Sequence, residues 1–182
     1  MFDKSHYDMK SKKKPQQANE TDLDLSLVNE PVIAYVNVAR TIDMRMMSLL
    51  NTSKSTIAFH DETDLIDVIR QGVSKKSLDY LITQIGYTIT DIAEVLHVSD
   101  RNLRRYTASE KLNTEQSERL IEIARLYAKG EDVFGSIKAF NHWMDANILA
   151  LGNKTPKSYL DTSLGIQLLH KELGRIEHGV FA

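Results

Sequence analysis

The sequence predicts an all-α protein: a helix–turn–helix domain followed by a small helical domain. Three observations carry this. From Glu62 onward, apolar residues recur at helical spacing between Ser/Thr caps and glycine stops. The three prolines all fall outside those patterns. The segment ITDIAEVLHVSDRNLRRY, Ile89 to Tyr106, has the spacing of two short helices joined by a sharp turn.

Taken in order, residues 1–22 are polar and lysine-rich, with Lys10, Lys12, Lys13 and Lys14 ahead of Pro15. They read as a disordered tail, with a basic arm touching DNA phosphates as the alternative. Residues 23–62 stay unassigned. EPVIAYVNVAR has β-branched residues in partial alternation, while MRMMSLL reads helical, so short mixed elements at an oligomer contact are expected. A helix–turn–helix domain is expected over 63–130. Leu65, Ile66 and Ile69 form one stripe, stopped at Gly72. Ser74 caps a helix carrying Leu78, Leu81, Ile82 and Ile85, which stops at Gly86. Thr90 is expected to cap DIAEVL, and Ser99 to cap DRNLRRY. A long helix opens at Thr114, carries Leu120, Ile123, Ala124 and Tyr127, and is expected to end at Gly130.

The C-terminal domain is expected over 131–182. Ile137, Phe140, Trp143 and Met144 form a core stripe. Pro156 follows Thr155 at a first helical position, where its missing N–H is harmless. A final helix from Thr162 is expected to stop at Gly174. Its apolar arc is wide, with Leu164 and Leu168 on one side and Ile166, Leu169 and Leu173 on another. The chain then ends RIEHGVFA. Ending on Val180, Phe181 and Ala182 suggests docking, either onto its own domain or into a partner's cleft.

Composition narrows the chemistry. Of 182 residues, 42% are hydrophobic and 26% charged, enough apolar material for a core. Lys plus Arg is 23 against 25 Asp plus Glu, a net charge of -2, so any case for nucleic acid rests on a local patch. There is no cysteine, which excludes disulfides, thiolate metal sites and cysteine nucleophiles. No run of 18 apolar residues is present, and the N-terminus lacks a signal-peptide pattern, so a cytoplasmic protein without membrane contact is expected. His142, His170 and His178 have no metal spacing, and no Gly-rich phosphate loop or nucleophile–base pair stands out. No cofactor and no enzymatic activity are expected.

The local patch lies in the helix–turn–helix. Ala93 supplies the small residue at the helix crossing. His97 holds the turn slot where glycine is usual. Val98 and Leu103 point inward. Asp100, Arg101, Arg104 and Arg105 then point outward. Guanidiniums there can bind phosphate or read guanine in the major groove, and Thr90 and Ser99 place helix N-termini near phosphate. The alternative is a solvated charged face on an ordinary bundle.

The run ALGNKTPKSYLDTSLGIQLL, then LGRIEHGVFA, resembles the C-terminal domain of Xre-type antitoxins of RES–Xre toxin–antitoxin pairs, the MbcA/ParS/Xre group. VFGS, Trp143 and DLIDVIRQGVSKKSLDYLI are also similar to that family, so the resemblance covers about Asp64 to Ala182. Asn153 and the DAN segment depart from the family pattern. The resemblance implies an Xre/Cro-like helix–turn–helix followed by a toxin-binding domain. It further implies a RES-domain toxin partner that consumes NAD, obstruction of its NAD site by the C-terminal domain and tail, and autoregulation through operator DNA, with a homodimer expected. The toxin-facing residues carried over are Leu160, Asp161, Thr162, Gly165, Leu169, Arg175, Ile176, Glu177, His178, Gly179, Val180, Phe181 and Ala182. By charge, Glu177 and the terminal carboxylate are candidates to occupy positions that hold NAD phosphates. Two other readings remain: a stand-alone repressor whose C-terminal domain only dimerises, and an enzyme in its own right.

Overall fold

The computed structural model describes residues 41–51 and 62–179. The tail over 1–22, the partly alternating segment before residue 41, and Val180, Phe181 and Ala182 lie outside the described residues. Among the described residues the chain is helical. Its only β features there are isolated bridges, Ser74 with Lys111 and Ile148 with Lys154.

Among the described residues eight α-helices follow in order: α1 (41–49), α2 (Glu62–Gln71), α3 (Lys75–Ile85), α4 (Ile89–Val95), α5 (Asp100–Arg105), α6 (Thr114–Phe134), α7 (Ile137–Asp145) and α8 (Ser163–Glu177). Short 3-10 turns at Leu149–Leu151 and Pro156–Tyr159 link α7 to α8. The spine is α6, which packs against α2, α3, α7 and α8. Leu120, Ile123, Ala124 and Tyr127 are buried as their spacing requires, and so are Ile121, Leu126 and Ala128. A helix buried on more than one side becomes the center around which the others assemble. The MRMMSLL helix is α1, in which Met46 and Leu49 are buried, as is Leu50 just after it. It is tied to α6 by Arg45 on Glu131 and by Asp43 on Arg125 at 3.0 Å.

Several boundaries move, each for a local reason. Gly72 and Gly86 do end α2 and α3 at φ +82 and +74. Gly130, however, is inside α6, which continues to a left-handed Gly135. A Cβ at Gly130 would lie 2.5 Å from the Phe140 ring, so this glycine is a seat for α7 rather than a stop. Gly174 likewise lies inside α8, which continues through Glu177. Leu173 is buried one residue before it, and Lys129 holds Glu177 at 2.7 Å, so tertiary contacts carry the helix past the glycine. In α2, Leu65 is buried but Ile66 is 44% exposed, so the apolar stripe is narrower than its sequence suggests.

The two halves share one core. An aromatic chain runs from Tyr87 through Tyr127 (centroids 5.9 Å apart) to Phe140 (5.0 Å) and then Trp143 (5.7 Å, stacked). Trp143 is half-buried at the edge of this stack, while Phe140 and Met144 are fully inside. Beside it, Tyr127 Oη donates to Asn141 Oδ1 at 3.1 Å, and Asn141 Nδ2 donates to the Ile85 carbonyl at 2.9 Å.

Candidate functional site: an arginine-bearing helix and a C-terminal helical surface

The helix–turn–helix is built as its spacing requires. Ala93, inside α4, is 3% exposed, and Leu103 is fully buried. His97 holds the turn at φ 53, the left-handed region where glycine is usual. Val98 is half-buried against the core. Ser99 Oγ accepts the Asn102 amide at 3.2 Å and caps α5.

The cap of α4 is Thr88, not Thr90. Asp91 N–H donates to Thr88 Oγ1 at 3.1 Å, and Thr88 N–H donates to Asp91 Oδ2 at 2.9 Å. This is a capping box, and the sequence contained its signal: Thr88 has an acid three residues on, whereas Thr90 has Ala93. Thr90 lies exposed in the first turn. The Asp91 carboxylate therefore fills the α4 N-terminus that was expected to receive a phosphate. The Thr88 hydroxyl and amide, with Lys157 adding to them, hold this carboxyl below the usual carboxylate range.

On α5, Arg101, Asn102, Arg104 and Arg105 are exposed. With Leu103 marking the inward direction and about 100° per residue, Arg101 and Arg105 point most directly outward. Arg104 lies on a flank with Asp100, their Nε and Oδ2 3.5 Å apart.

In the C-terminal half, Thr162 Oγ1 accepts the Gly165 amide at 3.1 Å and caps α8. The expected toxin-facing residues divide into three groups. Leu160, Gly165 and Leu169 are buried in the chain's own core, so they support a surface from beneath instead of lying in it. Asp161 and Thr162 are exposed at the start of α8; Arg175, Glu177, His178 and Gly179 are exposed at its end, with Ile176 half-buried. Since α8 has 15 residues, these two clusters stand about 22 Å apart. Glu177 is paired with Lys129, and Arg175 is paired with the buried Glu172 at 2.7 Å. Val180, Phe181 and Ala182 are outside the described residues.

Two residues not singled out as site residues stand out. Leu164, in the first turn of α8, is 75% exposed, and Leu149 in the first 3-10 turn is 86% exposed. Tyr159 ties their surroundings together: its Oη donates to the Leu151 carbonyl at 2.9 Å, and its own carbonyl lies against Gly165. The wide apolar arc signaled Leu164; no pattern singled out Leu149.

A helix–turn–helix whose outer helix carries exposed arginines thus shares one core with a small helical domain that exposes Leu149 and Leu164. Residues 64–125 match the antitoxin Xre-like helix-turn-helix domain, and residues 129–179 match the antitoxin Xre/MbcA/ParS C-terminal toxin-binding domain. An antitoxin Xre of Yersinia enterocolitica is 32% identical over 122 residues, covering 66% of this chain and 82% of that one. A Prs ADP-ribosylating antitoxin of Sphingobium is 27% identical over 129 residues, covering 65% of this chain and 81% of that one. A chain of the M. tuberculosis MbcT–MbcA toxin–antitoxin complex is similar at 20% identity and a TM-score of 0.45, over 59% of this chain and 96% of that one. The chain belongs to the Xre antitoxin family: it is the antitoxin of a toxin–antitoxin system, with a helix–turn–helix and a toxin-binding domain. Among the described residues, no helix is long and apolar enough to cross a membrane.

Proposed function

We propose that this antitoxin neutralizes a NAD-consuming RES-domain toxin by covering its active site with the surface around α8 and the C-terminal tail. In this reading the chain carries out no reaction itself. It works in the cytoplasm as two functional units, 63–130 and 131–182, which share α6. The observation that carries the proposal is Leu164, three-quarters exposed on a capped helix inside the segment matched to the toxin-binding domain. A leucine held rigidly in water gains about 1.5–3 kcal/mol when a partner covers it fully. Support for the NAD chemistry comes from the Sphingobium relative, whose name joins an antitoxin to ADP-ribosylation, a transfer that draws its group from NAD.

The second part of the proposal is autoregulation. Two copies of α5, one from each protomer of a dimer, bind half-sites in the operon's own promoter. Arg101 and Arg105 face the groove, and Arg104 and Ser99 lie nearer the phosphates.

Co-expression with the adjacent reading frame tests both parts together. The expected result is rescue of growth, a co-purified complex, and a promoter shift by that complex. Growth arrest despite abundant antitoxin would contradict neutralization.

A further inference from the structure

His97 occupies a slot that glycine fills at lower cost, and the structure gives its ring a task. The His97 ring Nε2 lies 2.9 Å from the Asp161 carbonyl, 64 residues away. A carbonyl only accepts, so Nε2 carries the proton and donates. The bond runs from the turn between α4 and α5 to the residue before the α8 cap. It crosses an open cleft of about 510 Å3 lined by Asp91, Glu94, Val95 and His97 on one side and Thr155, Lys157, Ser158 and Asp161 on the other. Deep in the molecule the halves are welded by Asn141 on Ile85 and by the aromatic chain. At this outer edge the named links are polar: His97 on Asp161, and Lys157, whose Nζ lies 3.7 Å from Asp91 and 4.4 Å from the Tyr87 ring centroid.

The deep weld sets a pivot and Lys157 holds the start of α4, but of these links only His97 ties down the turn that leads into α5. We propose that His97 is a positioning residue that locks the DNA-facing helix α5 at one orientation to the toxin-binding helix α8, so that a toxin-loaded antitoxin meets its operator in a single geometry. The strained φ is retained because the side chain of His97 is needed across the cleft. The functional consequence rests on the reading of α5 and of Asp161 to Leu164 given above. The lock itself does not.

The chain has no cysteine, so spin labels can be placed cleanly at Arg105→Cys on α5 and Lys171→Cys on α8. The background is otherwise wild type, His97→Gly, His97→Asn or His97→Gln. Glycine and asparagine accept the left-handed turn but lose the reach to Asp161. Glutamine restores a donor at comparable reach. The wild type should give one narrow distance distribution. The glycine and asparagine variants should broaden it, with the docked-to-undocked ratio falling about 2- to 5-fold, as for loss of one exposed hydrogen bond. Glutamine should narrow it again. Thermal melting of each variant verifies that the fold is retained. Narrow distributions in all four proteins would overturn the lock.

In promoter binding, His97→Gly should weaken the toxin-loaded complex several-fold while leaving the free antitoxin within about 2-fold. Equal weakening with and without toxin would overturn the positioning role. Failure of the wild type to bind DNA would overturn the operator reading, and the spin labels would still decide the lock.

Discussion

The Tyr159 carbonyl stands where a side chain at Gly165 would begin: a Cβ there would lie 2.0 Å from that oxygen. The first turn of α8 is pressed against the preceding 3-10 turn so closely that only glycine fits. This contact sets the position of Asp161, Thr162 and Leu164.

Gly165→Ala should therefore cost about 1–3 kcal/mol or more, because backbone rather than a flexible side chain must move. Differential scanning calorimetry checks the cost. Promoter binding should survive at temperatures where the variant is folded, while toxin binding should weaken. Wild-type melting together with wild-type toxin binding would show that the contact is not tight.

Much of this was legible in the sequence, and what was not has physical causes. The caps at Ser74 and Ser99, the start of α8 near Thr162, the left-handed turn at His97 and the inward Leu103 follow from local chemistry, and local chemistry is what a sequence displays. Gly130 and Gly174 read as stops because a glycine looks the same whether it ends a helix or lies inside one, as Gly130 does to admit the Phe140 ring. The Phe140 ring, which belongs to the next helix, decides the role of Gly130, and Lys129, far back along the chain, holds α8 together beyond Gly174. Likewise Leu160 and Leu169 carry the family pattern, yet their burial depends on how α8 lies on α6.

On α5, Arg101→Ala and Arg105→Ala should each cost about 1–3 kcal/mol of operator affinity and relax base preference. Arg104→Ala should cost less and act uniformly across sequences, because Asp100 holds Arg104 to the flank. Electrophoretic shifts on a randomized operator separate the cases. Equal, sequence-independent losses at all three positions would reduce α5 to a phosphate grip.

His170 makes α8 sensitive to acid. Burial, with the nearby charges of Arg125 and Lys129, holds its imidazole below its usual pKa. The unfolded chain then binds the proton more readily, so this contribution to stability is complete above about pH 6.5. It is lost as pH falls through the folded value. His170→Gln should flatten the decline in melting temperature over that acid range, and an unchanged slope would assign the decline to other groups.

Deleting Gly179 to Ala182 leaves α8 whole, since the helix runs to Glu177 and Lys129 still holds that residue. Melting should stay within about 1 kcal/mol of wild type and promoter binding should persist. Protection against toxin should fall sharply while some complex still forms through α8. Full protection by the shortened chain would confine neutralization to the helix surface.

In the proposed mechanism the α8 surface covers a toxin's NAD site. The most direct measurement is NAD turnover by the purified partner toxin, titrated with wild-type antitoxin and with Leu164→Asp. Leu164 is exposed, so the substitution should leave the fold intact while placing a charge in the contact. Wild-type antitoxin should abolish turnover near stoichiometry, and Leu164→Asp should require at least about tenfold more protein, equivalent to 1.4 kcal/mol. Superimposable inhibition curves from the two proteins, or no inhibition by either, would contradict it.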